Sequence, residues 1–318
     1  MRIGIKPNLD VPVATAQLII DRVLSGHTIA TIMNVHGGAI AAVYEIGFAD
    51  AAQAPIVLKV YPDSLHWKMQ KEVTILDLIG DRLTVPAPRT LFADDSKRLL
   101  GLNFIVMSKL EGSVLGSFER TLPPDQFLCA HVQIGRLLRE FHQIPMEAFG
   151  YIGPTGIWTP HSTNHAYLTH QFARKLKKFE ERGGPAGLAQ RVAAYVEARE
   201  QLLTECKKAA LCHNDLHAGN LLATVTGGTV RLTGVLDFEG ALAGDPLMDI
   251  AKACYYLGED AKQAVLRGYG STGREQWSQT LDLYHLYFVL ELWCWMAEIG
   301  NRLPLAKLAS DLEKCSTT

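Results

Sequence analysis

The chain has 318 residues, of which 48% are hydrophobic and 20% charged, with a formal net charge of −2. That length suits two lobes better than one small core. The near-neutral balance without a long basic run excludes a charge-driven nucleic-acid partner. The six cysteines, at 129, 206, 212, 254, 294 and 315, form no CxxC pair, which predicts reduced thiols in a cytoplasmic protein. The first 25 residues lack a basic start followed by an apolar run, so no signal peptide is expected. The most apolar stretch, 281–297, carries Asp282, His285 and Glu291. It reads as a buried helix, and no membrane partner is expected.

In chain order, a short helix is predicted over 13–24, followed by strands at 27–33, 40–48 and 55–61, rich in β-branched residues. Asn34-Val35-His36-Gly37-Gly38 separates the first two strands as a turn. A helix over 65–79 keeps Val73, Leu76 and Ile79 at helical spacing, and Val85-Pro86-Ala87-Pro88 stops it. Strands at 89–92 and 102–107 complete an expected five-stranded antiparallel sheet. Beyond Glu111-Gly112 the pattern turns helical: 125–142 behind Pro123-Pro124, then 167–181 and 189–208 around the Gly183-Gly184-Pro185 break. Short strands at 221–223 and 230–236 precede helices at 246–257, 260–268, 276–299 and 303–314. The whole predicts an α+β protein with a small antiparallel-sheet lobe over 1–110 and a larger, mainly helical lobe over 111–318.

Two loops carry the chemistry. In Leu211-Cys212-His213-Asn214-Asp215-Leu216-His217-Ala218-Gly219-Asn220, Asp215 precedes Asn220 by five residues, and Leu236-Asp237-Phe238-Glu239-Gly240 supplies a second acidic turn. Two carboxylates and a carboxamide in such loops suit magnesium-assisted phosphoryl transfer. Asp215 would orient and deprotonate a hydroxyl, while Asn220 and Asp237 would hold Mg²⁺ against nucleotide phosphates. Asp237 ends an apolar strand, where an unpaired charge is strongly unfavourable and a divalent cation removes the difficulty. Lys59 places one cation on the apolar strand 56–61 and suits nucleotide phosphates. Glu72, thirteen residues further on, is its expected ion-pair partner, although the adjacent Lys71 also fits a solvated charged face. The turn containing His36 and Gly37 offers backbone N–H groups to phosphates, without the three-glycine pattern of protein kinases.

The remaining polar positions read as supports or as acceptor contacts. His213 and His217 are expected to hold the first loop, with a γ-phosphate contact left open for His217. Glu239 reaches a metal through water or lines the substrate cleft; the residues leave both open. Asp245 before Pro246 has the form of a helix N-cap, and Asp249 is expected to anchor the catalytic loop by hydrogen bonds. Glu291, Trp295 and Glu298, at i, i+4 and i+7, share a helix face and suit a cationic guest. The alternative is a half-buried amphipathic helix with solvent-facing glutamates.

The stretches HNDLHAGN at 213–220 and LDFEGALAGDPLMDIA at 236–251 resemble the paired loops of the aminoglycoside phosphotransferase and choline kinase families. The resemblance implies a two-lobed protein-kinase-like fold that uses ATP and Mg²⁺ to phosphorylate a small-molecule hydroxyl. By the same resemblance, Met107-Ser108-Lys109-Leu110-Glu111-Gly112 is the hinge, where the Ser108 carbonyl and Leu110 amide hold the adenine edge. The stretch 244–251 resembles the antibiotic kinases best, so an aminoglycoside is the expected acceptor. Choline, ethanolamine, homoserine or a sugar is the alternative. A binding module without turnover is disfavoured, because Lys59, Glu72, Asp215, Asn220 and Asp237 are all present. Asn214, where protein kinases carry arginine, argues against control by a phosphorylated loop.

Overall fold

Between residues 29 and 108, β-branched and aromatic side chains recur densely enough to build a sheet, and the computed structural model, which describes residues 11–35 and 41–317, contains one there. Helix α1 (Val13–Val23) leads into β1 (Ile29–Val35), β2 (Ala42–Phe48) and β3 (Ile56–Tyr61). Helix α2 (His66–Ile79), β4 (Thr90–Asp94) and β5 (Asn103–Ser108) follow. The strands run antiparallel in the order β1-β2-β3-β5-β4, matching the expected five-stranded sheet. Ala16, Ile19 and Ile20 of α1 pack with Ile46, Leu58, Val60 and Val106 to cover one sheet face. On the other face, Met69 of α2 packs with Tyr61, Ile105 and Met107. Ile75, Leu76 and Ile79 of α2 belong instead to the core of the remaining chain. Helix α2 thus connects the two bodies. The turn with His36 and Gly37 lies outside the described residues.

After Ser108 the chain turns through Gly112, whose φ is 105°. A Cβ there would lie 2.7 Å from the Ala223 carbonyl oxygen, so only glycine allows the connection to run this close. Next come β6 (Ser113–Val114), α3 (Pro124–Phe141), β7 (Pro145–Met146), β8 (Phe149–Gly153) and β9 (Gly156–His161). Helices α4 (Asn164–Glu181) and α5 (Leu188–Glu197) lead to β10 (Ala209–Cys212), β11 (Leu221–Thr226), β12 (Thr229–Val235) and β13 (Leu242–Gly244). Helices α6 (Pro246–Cys254), α7 (Glu259–Tyr269), α8 (Trp277–Glu298) and α9 (Leu305–Cys315) complete the described chain. Helices α3 and α7 cross at Gly135 and Gly268, where an added Cβ would stand 2.0 Å from the Val265 or Val132 carbonyl oxygen. Phe141, Leu211, Val235, Phe238, Ile250 and Leu286 lie in the large core under the loops described below.

Two features differ from the sequence reading. The helix expected over 189–208 ends at Glu197, with a single 3₁₀ turn at Glu200–Thr204, and Ala209–Cys212, to which no element was assigned, forms a strand. That strand belongs to a five-stranded sheet, β7-β10-β13-β8-β9, that periodicity did not foretell. All four residues of β10 are buried, so it shows no alternation, and β8 and β9 hold Gly150, Gly153 and Gly156, which read as loop. All six cysteines are free. Among the described residues, no helix is long and apolar enough to cross a membrane.

Candidate active site

Strand β10 delivers the chain to a loop whose backbone is held from α6. The carboxylate of Asp249, 1% exposed, accepts the N–H groups of His213 at 2.7 Å and Asn214 at 2.8 Å. His142 Nε2 lies 3.3 Å from the same carboxylate. Burial works against the charged form of Asp249, but the His142 contact and the loop N–H groups win and hold it below the usual carboxylate range. His213 Nε2 donates to the Leu236 carbonyl at 3.0 Å, and its ring packs against both Phe141 and Phe238. Asn214 adopts φ 59° and donates to the Gly240 carbonyl at 3.0 Å. His213 and Asn214 therefore tie one loop to the other.

Held this way, Asp215 presents a carboxylate that is 46% exposed. Asn220 Nδ2 donates to the Asp215 carbonyl at 2.9 Å and to its Oδ2 at 3.2 Å. His217 Nδ1 accepts the Gly219 N–H at 2.9 Å, a turn-holding contact, with Nε2 3.9 Å from Asp215.

The β11–β12 ladder pairs Leu221 with Val235, and Leu236 N–H donates to the Asn220 carbonyl at 2.9 Å. This register sets Asn220 beside Asp237. Asp237 takes a left-handed conformation (φ 66°, ψ 74°), a strained state for a non-glycine residue that persists where surroundings enforce it. Its Oδ1 is buried without a hydrogen-bond donor, 3.6 Å from Lys59 Nζ. Burial disfavours the Asp237 anion, but Lys59 overrides it and keeps the carboxyl below its ordinary value. Lys59 also contacts Glu72 at 2.8 Å and Glu239 at 3.3 Å. Burial works against the charged form of Lys59, yet Glu72 and the other acidic neighbours keep it protonated well above the ordinary lysine range. The Tyr61 hydroxyl donates to the same Glu72 oxygen.

Lys59 thus reaches Asp237, Asn220 is bonded to Asp215, and the Leu236 N–H to Asn220 carbonyl bond links the two loops that carry Asp237 and Asn220. The donor set on offer, an orphaned carboxylate oxygen, a carboxamide oxygen and a second carboxylate, is made of hard oxygen ligands and fits Mg²⁺.

Around this run stand residues that sequence spacing did not single out. Lys68 lies 3.3 Å from Glu239 Oε2. Lys71 is fully buried and donates to the Glu239 carbonyl at 2.8 Å, so it is not part of a solvated face. Lys252 stands 3.4 Å from both Asn214 Oδ1 and Glu291 Oε2. The recurrence of Lys68, Lys71 and Glu72 along one helix was the available signal, but their contacts are long-range. The hinge candidates follow from the end of β5. The Ser108 N–H donates to the Arg89 carbonyl at 2.9 Å, and Gly234 of β12 leaves room for the Leu110 side chain.

One expectation is corrected. Glu291, Trp295 and Glu298 do share a face of α8, but its carboxylates are already paired. Lys175 holds Glu291 at 2.9 Å, and Lys178 holds Glu298 at 2.5 Å. Burial opposes ionisation of Glu291, yet Lys252 and Lys175 bring its carboxyl down to about 2. The face is an ion ladder between α4 and α8, on which Trp295, 38% exposed, and the Glu298 side chain, 44% exposed, are the open elements.

The small sheet lobe, the helical body and the paired acidic loops define a protein-kinase-like phosphotransferase that acts on hydroxyl groups. The chain belongs to the phosphotransferase enzyme family, whose model matches residues 31–283. Among solved structures it is similar to a thermostable mutant of aminoglycoside phosphotransferase APH(4)-Ia in a ternary complex with ADP and hygromycin B. That match has a TM-score of 0.72 at 17% identity and covers 94% of this chain and 97% of that one. The GDP and kanamycin complex of APH(2")-IIIa is similar with a TM-score of 0.69 at 16% identity, again covering 94% and 97% of the two chains. No curated protein matches the sequence.

Proposed function

We propose that the chain is an ATP-dependent small-molecule O-phosphotransferase, with residues 1–110 forming the nucleotide-binding lobe and 111–318 the catalytic and acceptor lobe. The observation that supports this best is two sets of contacts, Glu72–Lys59–Asp237 (2.8 and 3.6 Å) and Asn220–Asp215 (3.2 Å), whose acidic loops are joined by the Leu236 N–H to the Asn220 carbonyl at 2.9 Å. Lys59, oriented by Glu72, would bind the nucleotide phosphates. The Ser108 carbonyl and Leu110 amide would hold the adenine edge. Asn220 and Asp237 would hold Mg²⁺, which when bound neutralises charge on the transferring phosphoryl group. Asp215 takes the proton as the acceptor oxygen bonds to the γ-phosphorus and the bond to the bridging oxygen breaks, releasing ADP.

An aminoglycoside antibiotic is the acceptor that the likeness to the hygromycin B and kanamycin complexes supports. A second reading, a metabolic kinase of choline, ethanolamine, homoserine or a sugar, is favoured by one observation. The carboxylates Glu291 and Glu298, which a polycation would seek, are neutralised by Lys175, Lys252 and Lys178. ADP release measured against kanamycin, hygromycin B, choline, ethanolamine, homoserine and hexoses separates the two. Turnover with the antibiotics alone supports the first reading, and turnover confined to the metabolites removes it.

A further inference from the structure

Lys71 directly precedes Glu72, so the helix turns its side chain about 100° away from the Lys59 ion pair. None of its surface is exposed (0%). Its Nζ donates to the Glu239 carbonyl at 2.8 Å and lies 3.6 Å from the centre of the Tyr151 ring. The Tyr151 hydroxyl donates to that same carbonyl at 2.9 Å. Two donors from separate elements, α2 and β8, therefore converge on one main-chain oxygen. Burial, reinforced by the charge of Lys68, brings Lys71 down to about 6.

The carbonyl they hold is well placed to matter. Glu239 lies two residues beyond Asp237, inside the turn Phe238–Gly240 that closes the acidic loop. Asp237 is held in a left-handed conformation, which needs support from outside the loop. The same face of α2 carries Trp67 and Thr74, four residues before and three after Lys71. Trp67 packs against Trp158 and Tyr151 with ring centres 5.0 and 6.1 Å apart, and Thr74 Oγ1 donates to the Pro154 carbonyl at 3.0 Å. Helix α2 is thus docked on the β8–β9 hairpin along this stripe, with Lys71 at its centre.

We infer that Lys71 is a positioning residue. With Tyr151 it clamps the Glu239 main chain, so that the helix bearing Glu72 and the loop bearing Asp237 keep one relative position and the metal-bearing nucleotide meets a preset geometry. The inference rests on the phosphotransferase reading above. Lys71 itself touches neither nucleotide nor metal.

The test compares ADP affinity with and without Mg²⁺, by titration calorimetry, for the wild type, Lys71→Met, Lys71→Gln, Tyr151→Phe and Asp237→Asn, alongside thermal unfolding. Partners that orient metal ligands typically contribute on the order of 10–100-fold in metal affinity. Lys71→Met is expected to weaken Mg·ADP binding by about that range while metal-free ADP binding stays within about twofold. Lys71→Gln keeps an N–H donor and is expected to recover part of the loss. Lys71→Met binding Mg·ADP like the wild type, or losing both affinities equally, overturns the inference. Should Lys71→Met fail to fold, Tyr151→Phe reads the other half of the clamp, and unchanged Mg²⁺-dependent affinity in it counts equally against the proposal. Asp237→Asn separates the two levels: Mg²⁺-dependent affinity that survives it refutes the phosphotransferase reading itself.

Discussion

Lys59 and Glu72, thirteen residues apart in the chain, meet at 2.8 Å in a buried ion pair. The pair joins the middle strand of the small sheet to the helix that reaches the catalytic body. Lys59 also lies 3.6 Å from Asp237, so removing it takes away the proposed phosphate ligand and leaves buried carboxylates uncompensated. Lys59→Met is expected to lower kcat/KM on the order of 10²–10³-fold and to lower the melting temperature. Steady-state kinetics with varied ATP check the first effect, and calorimetry checks the second.

Asp215 is open to solvent on one side and bonded to Asn220 on the other. Asp215→Asn keeps the size and a polar contact to Asn220 but cannot accept a proton. It is expected to lower kcat by ~10²–10⁴-fold, with Mg·ADP affinity within about twofold of wild type. A parallel loss of affinity would place Asp215 in nucleotide binding instead.

Asp249 holds the catalytic loop through two backbone N–H groups and His142. Asp249→Ala leaves those donors buried without an acceptor. It is expected to cost roughly 3–5 kcal/mol, as breaking buried charged networks does. Urea denaturation measures this directly, and a loss below about 1 kcal/mol would show that the loop is held by other contacts.

Lys71 makes stability depend on pH in a distinctive way. Its folded value is about 6, against about 10.4 for an unfolded lysine. Between those values the unfolded chain holds a proton that the folded chain lacks, so stability rises with pH across the window and its slope vanishes below it. The slope is at most about 1.4 kcal/mol per pH unit. Lys71→Met removes this term, so the wild type gains on the variant between about pH 7 and about pH 9. Denaturant unfolding of both proteins at the two pH values checks it; a constant difference would mean that Lys71 is charged in the folded chain.

Local spacing carried most of the site. Asp215 and Asn220 share one loop, Asp237 ends one strand, and Lys59 stands alone on an apolar strand, so each is visible within a short window. The small sheet was equally legible because β2 alternates buried and half-buried residues. The partners that complete the site were not. Lys71 meets a carbonyl 168 residues away, and Lys175 meets Glu291 across 116 residues. A lysine beside a glutamate on a helix ordinarily lies in solvent, and no local pattern announces that Tyr151 and Glu239 will bury this one. The α8 glutamates misled for the same reason, since their pairing depends on lysines of another helix. The second sheet escaped because its strands are short, fully buried or glycine-rich.

The most direct test is a crystal structure of the chain with a non-hydrolysable ATP analogue and Mg²⁺. The account predicts density for a metal ion coordinated by Asn220 and Asp237, phosphates on Lys59, and the terminal phosphate aimed at Asp215. A nucleotide bound elsewhere, or a metal–phosphate group that leaves Asp237 without a ligand role, would contradict it.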